Sequence, residues 1–241
     1  LTLKWMKIFK IKDYYLRLGL RSPKEKYLGN DKIWKKAQLE IEKAIKKINL
    51  PYIKSPGDAA FYGPKLDIII KDSLGRQWQC GTIQVDFMLP ERFKLEYIDK
   101  KGKNQRPVLI HRAPLGSLER FTALLIEHFA GNFPLWLAPV QLTIIPVSNK
   151  FQKFALKIKN ILAENGFRVE LDDNKKTLSY KIRQSILQKV PYQVIIGDKE
   201  ANKSKNSKIY ISVRSREGKD LGQWEIYQFI NFLKEKIEKF S

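Results

Sequence analysis

Three segments carry residue types that could hold a charged small molecule: Phe61-Tyr62-Gly63-Pro64-Lys65, the run Gln79 to Phe87, and the run His111 to Phe121. In the third, a strand ends at His111, a glycine turn follows at Gly116, and a helix opens at Ser117, with Arg120 in its first turn. Free N–H groups and the positive end of the dipole favour phosphate there. A planar guanidinium adds a permanent charge that pairs with phosphate or stacks on a base. Taken alone, Arg120 reads equally well as a surface arginine paired with Glu119. In the second segment, Gln79, Thr82 and Gln84 sit among aromatic and β-branched residues. Buried polar groups need partners, and a ligand can be one. Strict alternation puts Thr82 and Gln84 on one face and Gln79 on the other. All three share a face only if Gly81 marks a bulge; otherwise this is a half-exposed strand with a polar face. In the first segment, Tyr62 and Lys65 flank a Gly-Pro turn and offer a hydroxyl and a cation, although turn chemistry alone accounts for them.

The surroundings of these segments bound the class. The 241 residues hold 46 Lys and Arg against 25 Asp and Glu, a net charge of +21, and so basic a chain calls for a polyanion, RNA first. Residues 1–135 carry 26 basic and 14 acidic side chains and residues 136–241 carry 20 and 11, so the charge is spread along the chain. A lysine-rich composition with no such partner is the bland alternative. The single cysteine, Cys80, excludes an internal disulfide and makes a reducing, cytoplasmic setting the default. With only His111 and His128 beside it, no independent Cys/His structural zinc site is possible. No apolar run approaches a membrane span, and no membrane partner is expected. Leu1 to Lys12 alternates lysine with apolar residues and lacks a secretory pattern; a start at Leu1 suggests a true start upstream.

Periodicity then places the elements. Asp13–Arg21 reads as a strand, Asp31–Asn49 as an amphipathic helix with Trp34, Ala37, Ile41, Ala44, Ile45 and Ile48 inward, and Ser55–Asp58 as a loop. Lys65–Lys71 and Gln77–Phe87 read as strands joined by a turn. Lys94–Asp99 and Pro107–His111 read as a hairpin, and Ser117–Ala130 as a helix N-capped by Ser117 with Phe121, Leu124, Leu125 and Phe129 inward. A proline-rich stretch, Gly131–Pro139, marks a boundary, giving domains at 1–135 and 136–241. Beyond it come strands at Val140–Val147, Phe167–Leu171, Tyr192–Ile196 and Ile209–Val213, and helices at Phe151–Asn165, Leu178–Lys189 and Trp224–Phe240. Lys203–Lys208 is read as a basic hairpin loop. The expectation is α+β followed by α/β: a largely antiparallel sheet, then a mixed-sheet βαβαββα unit.

In order and spacing, the three segments resemble the threonyl-tRNA synthetase family. The run His111-Arg112-Ala113-Pro114-Leu115-Gly116-Ser117-Leu118-Glu119-Arg120-Phe121 is similar to its class II motif 3. The likeness continues through Leu28–Asp31, Trp136–Gln141, Val190–Tyr192, Gly197–Glu200 and Val213–Gly222. It implies the end of a class II catalytic domain followed by an anticodon-binding domain. It also implies an activity: threonine and ATP, with Mg, form threonyl-adenylate, and threonine passes to the 3′ end of its tRNA. By that resemblance Arg120, Gln79, Thr82 and Lys65 bind ATP, while Tyr62, Gln84 and Ser117 line the threonine pocket. His111 is one of three zinc ligands, the metal binding the substrate's amino group and hydroxyl. Asn174, Arg183, Glu200 and Arg214 contact the anticodon, with Lys181, Arg216 and Lys219 attracting phosphate. Cys80 is a small buried side chain, and His128 is read as helix surface or packing.

A site that ligates the hydroxyl rejects isosteric valine far better than an apolar pocket does. The family's motifs 1 and 2, its editing domain, and its zinc-binding cysteine and second histidine have no match in these residues. The expectation is therefore a fragment of a homodimeric enzyme, binding zinc weakly at best and inactive alone. The alternative is a non-catalytic RNA-binding protein derived from a synthetase; a prolyl- or glycyl-type enzyme is disfavoured by the Gln79–Phe87 and His111–Arg120 runs.

Overall fold

The computed structural model describes residues 1–204 and 208–240 and divides into two compact units, Leu1–His128 and Phe129–Ser241. Among the described residues no helix is long and apolar enough to cross a membrane.

The first unit is built on a five-stranded sheet. Its elements are α1 (Thr2–Ile8), β1 (Tyr14–Leu20), α2 (Asp31–Ile48), β2 (Tyr52–Pro56), β3 (Lys65–Lys71), β4 (Gln77–Asp86), α3 (Met88–Arg92), β5 (Tyr97–Ile98), β6 (Asn104–Gln105), β7 (Leu109–Ala113) and α4 (Leu118–His128). The strand order is β2-β1-β3-β4-β7, with β1 and β2 parallel and the other neighbours antiparallel. Alternation decides the faces. Leu16, Leu18, Leu66 and Ile68 point to one side and pack with Ile41 and Ile45 of α2. The helix is N-capped by Asn30, whose side chain accepts from Ile33 N, and ends at Asn49 in the left-handed region. Its predicted stripe holds at Trp34, Ala37, Ile41 and Ile45, whereas Ala44 and Ile48 are exposed. Phe9, following α1, packs edge-on against Phe121 of α4 with ring centroids 5.0 Å apart.

Several expectations change here. The N-terminal Lys/apolar alternation is the helix α1, and Ser55 and Pro56 belong to β2. The hairpin expected between Lys94–Asp99 and Pro107–His111 does not form: β5 pairs with β6, and β7 pairs with β4. Alternation shows that a segment is a strand but not which strand it pairs with.

The second unit comprises β8 (Leu142–Pro146), a 3₁₀ turn at Asn149–Phe151, α5 (Gln152–Glu164), β9 (Val169–Leu171), α6 (Leu178–Leu187), β10 (Tyr192–Ile196), α7 (Asp198–Lys203), β11 (Tyr210–Ser215), β12 (Asp220–Glu225) and α8 (Ile226–Glu238). The order β12-β11-β10-β8-β9 is mixed: β8 runs parallel to both β9 and β10, while β11 is antiparallel to β10 and β12. Leu142, Ile144, Val194, Ile196, Ile211 and Val213 form one apolar face under Ala155, Ile158 and Leu162 of α5 and Phe229, Ile230 and Leu233 of α8. The mixed sheet is as expected, with α7 and β12 added. Trp224 and Glu225 close β12 instead of opening the last helix, and the Glu225 carboxylate caps it through Tyr227 N and Gln228 N. Of the basic loop read at Lys203–Lys208, Lys203 closes α7 and residues 205–207 lie outside the described residues.

Candidate nucleotide and amino-acid site, and candidate RNA-contact residues

The face of the first sheet away from α2 is polar, and strand pairing sets its residues in rows. Arg17 lies opposite Asp67, Asp67 opposite Thr82, and Thr82 opposite Ala113. One step along, Gly19 faces Lys65, Lys65 faces Gln84, and Gln84 faces His111. Between β3 and β4 the register shifts: Ile68 pairs with Gly81 and Ile69 with Gln79, which leaves Cys80 as the extra residue. This bulge beside Gly81 turns Gln79 onto the face of Thr82 and Gln84, the condition set by the sequence. The Gln79 amide donates to Thr82 Oγ1 at 3.1 Å.

Asp67, which has no exposed surface, ties this face together. Lys65 Nζ lies 2.5 Å and an Arg17 guanidinium nitrogen 3.3 Å from its Oδ2; Gln79 Nε2 and Thr82 Oγ1 donate to its Oδ1 at 2.9 and 2.8 Å. Asp58 adds a second carboxylate, 2.9 Å from Arg17 Nε and 3.2 Å from Lys65 Nζ. Three of the expected nucleotide-side residues thus meet on one buried carboxylate that the motifs did not single out.

The fourth, Arg120, arrives by a different route. Gly116 has φ +73°, and a Cβ there would lie 2.4 Å from Cys80 O, so the turn before α4 rests directly on the bulge. Ser117 Oγ accepts from Arg120 N at 3.3 Å, as an N-cap does. The Arg120 guanidinium donates to Gln79 O at 3.1 Å and lies over the Trp78 ring at 5.8 Å. Cys80 is buried, and burial pushes its thiol up to about 11 against the pull of Arg120.

The amino-acid-side residues form a neighbouring group. A Cβ at Gly63 would lie 1.9 Å from Val85 O, so only glycine lets this loop lie on β4 and seat Tyr62. Tyr62 donates to Gln84 Oε1 at 2.5 Å, and its ring centroid is 5.7 Å from that of His111. Burial, then the nearby Asp86 carboxylate, raises the Tyr62 phenol above its ordinary value. Thr82, Gln84, His111, Arg112 and Ala113 line an open hollow of about 380 Å³. Buried Asp86 caps α3 through Met88 N and Leu89 N, and its Oδ2 lies 2.8 Å from His111 Nε2. A carboxylate behind an imidazole is how metal-binding histidines are oriented. Among the described residues, however, no three His, Cys, Asp or Glu are grouped to hold a metal. His111 fits as one donor and does not make a site by itself. Asp67, Arg17, Asp58 and Asp86 escape a reading of the sequence; an aspartate inside the apolar strand Lys65–Lys71 is the available signal for Asp67.

In the second unit the expected RNA-contact residues divide. Asn174 is exposed in the β9–α6 loop, where its N and Nδ2 donate to Asp172 Oδ1. Arg183 is exposed on α6. Arg214 lies on β11 opposite Gln193, with 39% of its side chain exposed and Asp220 3.8 Å away. Glu200 is buried: its Oε2 accepts from Gly197 N at 2.8 Å and its Oε1 from Ser212 Oγ at 2.6 Å, so both oxygens are spent on positioning β11 and α7. Two phosphate-attracting expectations are corrected. Lys181 is buried and donates to Asp172 O at 3.0 Å, and Arg216 reaches back to Phe133 O at 2.7 Å. Both satisfy backbone carbonyls; Lys219 remains exposed.

Comparison with known proteins follows the same division. The family described as "tRNA synthetase class II core domain (G, H, P, S and T)" matches residues 7–129, and "Anticodon binding domain" matches residues 141–236. The threonine–tRNA ligase of Thermotoga neapolitana is 48% identical over 221 residues, 92% of this chain and 34% of that protein. The threonine–tRNA ligase of Deinococcus radiodurans is 44% identical over 240 residues, 99% of this chain and 36% of that protein. The chain thus spans about a third of the length of the curated relatives it matches. Among solved structures, the RNA-binding domain of threonyl-tRNA synthetase from Cryptosporidium parvum Iowa II superimposes with a TM-score of 0.88 at 37% identity, over 98% of this chain and 57% of that one.

Proposed function

We infer function from one premise: the chain belongs to the class II tRNA synthetase core family, the type that groups G, H, P, S and T. On that footing it forms the nucleotide- and threonine-binding end of a threonine–tRNA ligase together with the anticodon-binding domain. The observation that carries this reading is the Cys80 bulge, which gathers Gln79, Thr82 and Lys65 around Asp67 beside the Tyr62–Gln84–His111 group.

The residues divide the work. Arg120 holds ATP, its guanidinium steadied at Gln79 O and over the Trp78 ring so that it stacks on the base or meets phosphate, with Mg carried by the nucleotide. Lys65, Gln79 and Thr82 are held in place by Asp67 and meet the nucleotide by exchanging those bonds for bonds to it. Tyr62, Gln84 and Ser117 orient threonine. His111, held by Asp86, offers one donor to zinc; the remaining donors come from outside these residues, as does the second ATP-binding arginine. When bound, that zinc would supply recognition of the threonine amine and hydroxyl. Asn174, Arg183 and Arg214 face the anticodon of threonine tRNA, where unpaired bases suit edge hydrogen bonds and arginine stacking; Glu200 acts by holding β11. The working enzyme is a cytoplasmic homodimer.

The test is amino-acid-dependent ATP–pyrophosphate exchange by an enzyme that joins these residues to the missing motifs; the 241-residue chain alone should give none. Threonine should drive it, and Gln79→Ala or Arg120→Ala should lower it on the order of 100-fold. Exchange driven by another amino acid in preference to threonine would overturn the reading.

A further inference from the structure

The outer face of α2 belongs to no site described so far. At 100° per residue, Lys32, Lys35, Lys36, Lys43, Lys46 and Lys47 fall within about 60° of one line, opposite the buried Trp34, Ala37, Ile41 and Ile45. All six are exposed, and the stripe runs about 22 Å at 1.5 Å per residue. The three acids of this helix are already engaged: Asp31 by Arg21 at 2.8 Å, Glu40 by Lys43 at 3.0 Å, and Glu42 by Lys54 and Lys46 at 2.9 and 3.4 Å. Lys32, Lys35, Lys36 and Lys47 have no carboxylate within ion-pair distance among the described residues. Lys32 with Lys36, and Lys43 with Lys47, are like charges at i,i+4, which weaken a helix standing alone. A linear anion lying along the stripe offsets that repulsion.

We propose that the exposed face of α2 is a second RNA surface, tracking the phosphate backbone of the tRNA away from its anticodon. This rests on the reading above that tRNA is the partner. The chemistry favours a phosphate backbone over a lipid surface. The apolar side of α2 is consumed by the sheet, so no amphipathic face remains to enter a lipid surface. Lysines along an exposed line, without arginine forks or base-stacking aromatics, contact phosphate and do not read sequence. The surface adds affinity and salt dependence; discrimination stays with the second unit.

The experiment measures binding of a threonine-tRNA transcript to the 241-residue chain by fluorescence anisotropy, across a series of salt concentrations. The variant carries Lys32→Gln, Lys35→Gln, Lys36→Gln and Lys47→Gln. The control carries the same change at Lys94, Lys100, Lys101 and Lys103, exposed residues around the β5–β6 turn. Circular dichroism checks that both remain folded. The α2 variant should bind on the order of 10- to 100-fold more weakly at low salt. The slope of its log K against log salt should be shallower by roughly 0.7 to 0.9 for each phosphate that is no longer neutralised. The control should follow the parent. If the α2 variant binds like the parent while Arg214→Ala weakens binding, α2 is a solvated face; the inference fails and the proposed function stands. If control and α2 variants weaken equally, net charge and not this surface is responsible, and the inference fails. Tighter binding of the parent to anionic lipid vesicles than to the transcript, abolished in the α2 variant, would also overturn it. If the parent binds no tRNA, the proposed partner falls and this surface with it.

Discussion

The two sheets use their polar faces differently. In β2-β1-β3-β4-β7, charged side chains stand in register and neutralise one another across strands: Arg17 and Lys65 against Asp67 and Asp58. In β12-β11-β10-β8-β9, the buried polar groups mostly answer the backbone, as Lys181 does at Asp172 O and Gln193 Nε2 at Val190 O. Of the expected RNA-contact groups, Asn174 and Arg183 are exposed, and Arg214 is half-buried on β11. The first arrangement sets strand residues around an open hollow. Charge is buried and paired in the first unit, whereas in the second the buried polar groups bond within the fold.

Removing the carboxylate at the centre of the first face should have the largest effect. Asp67→Ala strips two cations of a buried partner and should cost about 3 kcal/mol of stability, read by urea unfolding. A cost under about 0.5 kcal/mol would mean that Asp58 alone holds Arg17 and Lys65. The matching change in the second unit, Glu200→Ala, removes the carboxylate that accepts from Gly197 N and Ser212 Oγ and should cost about 1–2 kcal/mol. If Glu200 instead acts on RNA, the variant would be stable and would bind tRNA poorly.

How much of this is legible in the sequence depends on the range of the interaction. The β4 strand, the turn at Gly116 and the capped helix after it are local patterns, and they stand where spacing puts them. Even the bulge is foreshadowed by Gly81. Asp67 is not, because its partners Arg17 and Thr82 are 50 and 15 residues away and only strand pairing joins them. β12 escapes because Asp220, Gly222 and Glu225 disfavour a strand on propensity, while Trp224 extends the stripe of α8. The burial of Glu200 follows from a carboxylate three residues after Gly197, a helix-start spacing that the family resemblance overshadows.

Smaller effects sharpen the contrast. Cys80 should resist iodoacetamide at pH 8 in the folded chain and react readily once unfolded. Its thiol is held up at about 11 by burial, so the folded state keeps the proton more tightly. Its effect on stability is nil below the ordinary value of about 9, and stability falls as pH rises from there toward 11; Cys80→Ala should abolish that part of the alkaline loss. Fast labelling at pH 8 would mean that the turn at Gly116 does not cover the bulge. Smaller still, Asp72 is held down to about 2: burial opposes its charge, but hydrogen bonds from Trp78, Arg76 and the backbone outweigh it. The stability it contributes is present above about pH 4 and is lost as pH falls toward 2. Asp72→Asn should flatten the acid limb of a thermal-unfolding profile over that window.

The central claim is that the second unit reads an anticodon. Competition binding by this chain between a threonine-tRNA transcript and the same transcript with a foreign anticodon tests it. The expected result is at least about a 10-fold preference, a difference of about 1.4 kcal/mol, that Arg214→Ala removes without changing stability. Equal binding of the two transcripts, or a preference that survives Arg214→Ala, would contradict it.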